Sequence, residues 1–221
     1  MLKLKRRILM KIAIIGANSQ IGLEAIDLAL TTTDAELNLF LRNASKLTDL
    51  NLPADRVTVF EGSADQKENL IPAIKGADYV FASLAGDMAA HAKAIIAAMD
   101  QVGVKRISFV TTLGIFDEVP GTFGKWNTAN IGPYIPPYRE ASDLIEASDL
   151  DYTILRPAWL TNKKEVDYEI TLRDEPFKGT EISRRSVAAV ALEIAKNPSL
   201  YSHENIGIDK PGSDGDKPAF M

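Results

Sequence analysis

Gly16, Ser19 and Gly22 are spaced three residues apart in the stretch Ile12-Ala13-Ile14-Ile15-Gly16-Ala17-Asn18-Ser19-Gln20-Ile21-Gly22. An apolar run meets the first glycine and an amphipathic run opens at Gln20. Strand, glycine turn and helix start, in that order, can cradle a phosphate. Gly16 permits a tight turn and close backbone approach, and Gly22 permits close packing of the helix. The first helical amides offer unpaired N–H groups and the positive end of the helix dipole. Ser19 stands where a Gly-x-x-Gly-x-x-Gly loop has its middle glycine. A side chain is tolerated there if φ stays negative and the side chain points away from the phosphates. Its hydroxyl then adds a donor to phosphate, or else Asn18 or Ser19 caps the helix. The expected loop is Gly16, Ala17, Asn18, Ser19, Gln20, Ile21 and Gly22.

The next strand-like run, "LNLFL", ends in Arg42, about 20 positions beyond the loop. Where such a loop binds a dinucleotide, this position adjoins the adenosine ribose. An acid there binds the 2'-hydroxyl of NAD, and an arginine accommodates the 2'-phosphate of NADP. No acid adjoins Arg42, and guanidinium meets phosphate with paired, charge-assisted hydrogen bonds. NADP is the expected cofactor ahead of NAD, the alternative being that Arg42 is a solvated charge.

Elements able to hold these residues alternate along most of the chain. The runs "KIAIIG", "AELNLFLR", "RVTVFEG", "ADYVFASLAG", "VKRISFVTT" and "DYTILRPAWL" read as strands. Several are almost unbroken apolar runs, as suits strands covered on both faces. Helices are expected over residues 20–30, 66–75, 88–102 and 139–147. β-α alternation predicts an α/β fold with a doubly wound parallel sheet and right-handed crossovers. Residues 113–137 are rich in Gly, Pro and aromatics and read as a long functional loop beyond the fifth strand, where α/β sheets place ligands. "SRRSVAAVALEIAKN" predicts a last helix capped by Ser183, and "NIGIDK" an edge strand. The turn-rich "PGSDGDKPAFM" is a small C-terminal extension wrapping the surface.

The 221 residues, 46% of them hydrophobic, suffice for one core. The expected organisation is an N-terminal extension over residues 1–9 and one dinucleotide-binding domain over 10–221, with Met10 as sensible a start as Met1. A net charge of -5 without a basic patch argues against nucleic acid and for a small-molecule substrate. With no cysteine and only His91 and His203, a metal site is not expected. Lys11 interrupts the N-terminal apolar run, which is too short to cross a bilayer, so a cytoplasmic protein with no membrane partner is expected. Nothing in the sequence assigns an oligomeric state.

With the glycine loop, "FLRN", "SADQ" and "LDYTILRPAWLT" in this order, the chain resembles the atypical short-chain dehydrogenase/reductases. It is most similar to their single-domain NAD(P)H-binding members of the NmrA-like and biliverdin reductase B-like group. The resemblance spans about residues 11–208 and implies a Rossmann-type fold. It puts the adenine contact on Asp65, unless Asp65 is a helix cap. It puts the loop beside the nicotinamide ribose on Ser83, Leu84, Ala85 and Gly86. The fifth-strand hydroxyls fall on Thr111 and Thr112, residues that strands also favour for their branching. The segment from Arg156 to Leu160, with Pro157, Ala158 and Leu160, is expected to approach the nicotinamide.

The catalytic Tyr-x-x-x-Lys of the superfamily falls on Tyr134-Ile135-Pro136-Pro137-Tyr138, so the tyrosine is kept and Tyr138 replaces the lysine. That lysine lowers the tyrosine pKa and binds the ribose. Without it, a phenol of reference pKa about 10 is a poor acid toward a carbonyl. Reduction of a flavin or quinone asks less, because solvent can protonate the product. Thr112, Tyr134 and Tyr138 are the catalytic candidates, against pocket packing for the two tyrosines. Trp126 and Trp159 either stack on a flat substrate or fill the core. His91 reads as structural, and Glu140, Asp143, Glu146 and Asp149 as a solvated helix face. The expected activity is NADP(H)-dependent reduction of a small planar acceptor. The alternative is an NADP-binding redox-sensing regulator without turnover.

Overall fold

The computed structural model describes residues 9–221; apart from the exposed Leu9, the expected N-terminal extension lies outside the described residues. Among these residues ten strands and six α-helices occur, beginning with β1 (Lys11–Ile15), α1 (Gln20–Thr32), β2 (Glu36–Leu41), β3 (Val57–Glu61), α2 (Lys67–Ile74), β4 (Tyr79–Ala82), α3 (Met88–Val102) and β5 (Arg106–Val110). The second half adds α4 (Gly121–Ile131), α5 (Ile135–Glu146), β6 (Asp151–Pro157), β7 (Trp159–Thr161), β8 (Glu169–Thr171), β9 (Glu181–Ser183), α6 (Arg184–Lys196) and β10 (Glu204–Asp209).

The main sheet runs in the order β3-β2-β1-β4-β5-β6-β10-β8, parallel throughout except for β8. This is the Rossmann-type doubly wound arrangement. The chain leaves β1 toward β2 on one side and returns at β4 on the other, opening a crevice at the carboxyl ends of β1 and β4. Strand alternation divides the core into two layers. Ile12 and Ile14 face the cluster with α1 and α6, while Ala13 and Ile15 face the cluster with α2, α3 and α5. Because both faces are apolar, β1 reads as an unbroken hydrophobic run after Lys11, from Ile12 to Ile15.

Helix starts follow local capping chemistry. Ser19, Asp87 and Ser183 accept the amides of Gly22, Ala90 and Ser186 and so cap α1, α3 and α6. Gly103 ends α3 with φ 74°, a left-handed value that glycine adopts without penalty.

Three expectations are corrected. Residues 113–137 are not one long loop: they contain α4, a single 3₁₀ turn (Gly132–Tyr134) and the start of α5. The weak helix formers of α4 are held by tertiary contacts. Phe123 is buried, a side chain at Gly124 would stand 2.0 Å from the Val119 carbonyl oxygen, and buried Asn127 accepts the Trp159 Nε1 proton at 2.9 Å. Pro136 and Pro137 sit in the first turn of α5, where their missing N–H groups cost little.

β10 is interior, because the short β8, part of the alternating run from Val166 to Leu172 that the strand reading above does not include, covers its outer edge. Glu146 does not belong to a solvated face. It accepts from Asn205 Nδ2 at 2.8 Å and pairs with Arg173. Asp143, by contrast, forms an exposed i,i+4 pair with Arg139.

Candidate functional site

Two cavities meet at the carboxyl ends of the strands and share Ala85 and Gly86, just after β4. The first, of about 410 Å³, lies over the crevice between β1 and β4. Gly16, Asn18 and Ser19 form its floor, Arg42 stands at the end of β2, Asp65 follows β3, and Ser83 to Asp87 follow β4.

Gly16 has φ 85°, and a Cβ there would lie 2.1 Å from the Ser83 carbonyl oxygen, so only glycine fits. Gly22 is as constrained: a Cβ would lie 2.6 Å from the Gly16 oxygen. Its close approach is to the loop itself rather than to the sheet. Ser19 keeps φ at -66°, the negative value that lets a side chain replace the middle glycine. Its hydroxyl is already engaged, accepting from Gly22 N at 2.9 Å and donating to Ser83 Oγ at 3.0 Å. The proposed phosphate donor is therefore a helix cap tied to the β4 loop.

Ala17 and Ile21 turn their side chains into the core, Gln20 is exposed, and neither these three nor Gly22 lines the cavity. Arg42 is exposed and has no hydrogen bond or ion pair within the protein among the described residues, so its guanidinium is open to a ligand. Asp65 is not a helix cap, because α2 starts at Lys67 with Gln66 in the cap position. It lines the cavity instead.

His91, read from sequence as structural, also lines this cavity. Its Nδ1 is buried without a hydrogen-bond partner. Burial holds its pKa below the usual imidazole range, against the opposing pull of Asp65 and Asp87. A lone histidine in an alanine-rich helix gave no signal of this, although the Asp87 cap fixes which helical turn faces the cleft.

The second cavity, about 720 Å³, is lined by Thr111, Thr112, Tyr134, Tyr138, Pro157, Ala158, Trp159 and Leu160 among others. The structure thus brings all three catalytic candidates together. Thr111 is buried, and its hydroxyl donates to the Leu155 carbonyl at 3.2 Å, closing the β5–β6 edge. Thr112, half-buried, has no such bond. Tyr134 is 65% exposed at the mouth, whereas Tyr138 lies deeper and burial raises its pKa.

Arg156 does not approach this cavity. It is fully buried, paired with Glu118, and donates from Nε to Asn205 Oδ1 at 2.7 Å. Glu118 also accepts the amides of Gly114 and Phe116, both at 2.9 Å, so the arginine organises the turn before α4. Of the two tryptophans only Trp159 reaches the cavity; Trp126 packs behind it, ring centroids 4.7 Å apart. Arg184 and Phe220, lining residues that sequence reading missed, arrive from the start of α6 and the C-terminal tail. No local pattern marks either.

The sequence pattern of the NAD(P)H-binding family matches residues 16–198, from the first glycine of the loop to beyond α6. The chain belongs to this NAD(P)H-binding family. Its fold is shared with a short-chain dehydrogenase/reductase of Veillonella parvula DSM 2008 solved in complex with NADP, at 30% identity and TM-score 0.90, over 96% of this chain and 99% of that one. A Rossmann-fold NAD(P)-binding family protein from Shigella flexneri is 40% identical, with TM-score 0.80 over 96% of this chain and 100% of its own. The Bacillus subtilis (strain 168) protein called uncharacterized sugar epimerase YhfK is 28% identical over 165 residues, 70% of this chain and 74% of its own. The side-chain-free cradle at Gly16, the unpaired Arg42 and the orphaned His91 Nδ1 fit a dinucleotide with a pyrophosphate over the glycine loop. Among the described residues no cluster of metal ligands occurs, and no helix is long and apolar enough to cross a membrane.

Proposed function

We propose that the protein is an NADP(H)-dependent oxidoreductase acting on a small planar acceptor of the flavin or quinone type. One observation carries the reading: a roomy cavity with tyrosine, tryptophan and phenylalanine in its walls adjoins the dinucleotide cleft at Ala85 and Gly86, and no lysine is among the described residues that line it. Flat aromatic walls suit a flat acceptor.

In this reading the loop from Gly16 to Gly22 holds the pyrophosphate, Arg42 the 2'-phosphate of NADP, Asp65 the adenine and Ser83 to Gly86 the nicotinamide ribose. NADPH, when bound, supplies the hydride. Thr112 and Tyr134 orient the acceptor, and Pro157, Ala158 and Leu160 exclude water from its other side. Tyr138 is a poor proton donor, since burial pushes its phenol away from neutral pH. The product proton therefore comes from solvent through the exposed mouth at Tyr134.

Sugar epimerisation, the activity in the name of the Bacillus relative, fits less well. It needs a base for the sugar hydroxyl, and Tyr134 has Tyr138 where a tuning lysine would stand. The absence of a tuned acid also favours the rival reading, an NADP-binding redox regulator without turnover.

The test is to incubate the purified protein with NADPH and a panel of flavins, quinones and aldehydes while following the loss of NADPH absorbance. Oxidation by flavins or quinones and not by aldehydes is the expected result. NADPH binding without turnover on any acceptor would favour the regulator, and aldehyde reduction would restore carbonyl chemistry.

A further inference from the structure

Among the described residues Arg184 is the one charged side chain lining the second cavity. It opens α6 and is half-buried in the wall. Nη1 donates to the Leu160 carbonyl at 3.2 Å and to Asn162 Oδ1 at 2.9 Å, which fixes the guanidinium plane. Both acceptors are neutral, and no acid pairs with Arg184 among the described residues. Arg106, Arg139, Arg156, Arg173 and its neighbour Arg185 each have a carboxylate partner. Arg56 is occupied by backbone carbonyls, including those of Ala35 and Thr33.

Among the described arginines Arg42, Arg56 and Arg184 have no carboxylate partner; Arg56 is filled by carbonyls, whereas Arg42 and Arg184 each line one of the two adjoining cavities. A half-buried cation with no counter-charge bears a desolvation cost that a ligand anion would offset. Nε and Nη2 of Arg184 have no protein acceptor among the described residues. That edge of the guanidinium matches the two oxygens of a carboxylate or phosphate.

We propose that Arg184 anchors an oxyanion group, carboxylate or phosphate, carried by the planar acceptor, and so sets the substrate specificity of the second cavity. The inference rests on the reading of that cavity as the acceptor site. The aromatic walls take the ring system, and Arg184 selects rings bearing an anionic arm over neutral ones.

Matched pairs test it. FMN and riboflavin share one ring system and differ by a phosphate; a quinone with a propionate side chain and its methyl ester differ by a carboxylate charge. Binding is measured with saturating NADP⁺, so that no turnover intervenes, by fluorescence quenching for the flavins and calorimetry for the quinones. The wild-type protein is expected to prefer the anionic member of at least one pair by about tenfold or more. The pair that discriminates identifies phosphate or carboxylate. In Arg184→Gln, which keeps a donor for the Leu160 carbonyl, the preference is expected to fall to within about twofold, while Arg184→Lys keeps much of it. NADP⁺ affinity is expected to be unchanged in both variants.

Equal binding within both pairs by the wild-type protein, or no binding of any of the four, overturns the proposal, and neither result depends on a variant folding. A preference that survives in Arg184→Gln overturns it too. A parallel loss of NADP⁺ affinity would make Arg184 a cofactor contact and likewise sink it. Discrimination without any oxidation of NADPH leaves the anchor standing and removes the reductase reading.

Discussion

Ser19 and Ser83 are joined by a hydrogen bond of 3.0 Å between their hydroxyl oxygens, tying the glycine loop to the segment after β4. The same Ser19 oxygen caps α1 at Gly22 N, so one side chain shapes both walls of the first cavity. Losing such a cap costs about 0.5–2 kcal/mol. In a chain of this size, each kcal/mol lowers Tm by about 2–4 °C. Ser19→Ala is therefore expected to lower Tm while changing NADPH affinity by less than about threefold. Thermal melts and calorimetry check it. An unchanged Tm with a tenfold loss of affinity would return the hydroxyl to the phosphate.

Arg42 has no hydrogen-bond or ion-pair partner among the described residues, so its removal leaves no buried acid behind there and tests ligand binding. A charge-assisted contact to phosphate is worth about 1.5–3 kcal/mol, roughly ten- to more than a hundredfold in affinity. Arg42→Ala is expected to weaken NADPH by that factor and leave NADH nearly unchanged, as measured by calorimetry. Equal affinities of the wild-type protein for the two dinucleotides would make Arg42 a bystander.

Tyr134 lies at the open mouth of the second cavity, where water can deliver a proton. Tyr134→Phe is expected to lower kcat by less than about tenfold, against roughly 10² to 10⁴ for the loss of a general acid. Steady-state rates with an accepted flavin or quinone decide it. A loss of about a hundredfold with cofactor affinity unchanged would make Tyr134 a working acid.

Asp209 is fully buried at the end of β10, with Oδ2 accepting Gly179 N at 2.9 Å and Oδ1 without a partner. Burial pushes its carboxyl up to about 7, outweighing the amide that favours the anion. An unfolded aspartate titrates near about 3.9, so between these values the folded state holds the proton and the unfolded state has released it. Stability contributed by this group is present at low pH and is lost as pH rises from about 4 to about 7. Urea unfolding across that window is expected to show the loss in the wild-type protein and to lack this component in Asp209→Asn. Identical pH profiles would refute it.

The sequence by itself determined the parts whose cause lies within a few residues. The run from Ile12 into Gly16 signals a strand meeting a turn, Ser183 an N-cap, and residues 88–102 a helix with the bounds that α3 has. Hydrophobic period, capping and glycine conformations act between neighbours along the chain, and a linear reading sees them. The positions of Arg42 after β2 and of Ser83 to Gly86 after β4 follow once the strand order is known, and both segments line the first cavity.

Only the tertiary structure decided which way other side chains face and what meets them. Arg156 lies in an expected site segment, yet its partners are Glu118 and Asn205, 38 and 49 positions away, and they draw it into the core. Nothing in the local sequence separates Arg184 from Arg185, yet Arg184 lines the second cavity while Arg185 reaches Glu24 and Asp27 on α1. Helix α4 forms from poor helix formers because Phe123, Gly124 and Asn127 fit surfaces supplied elsewhere. β10 is interior because β8 covers it. These outcomes turn on burial and pairing between distant segments, and charge, hydroxyl and ring carry no record in the chain of the partner that folding brings to them.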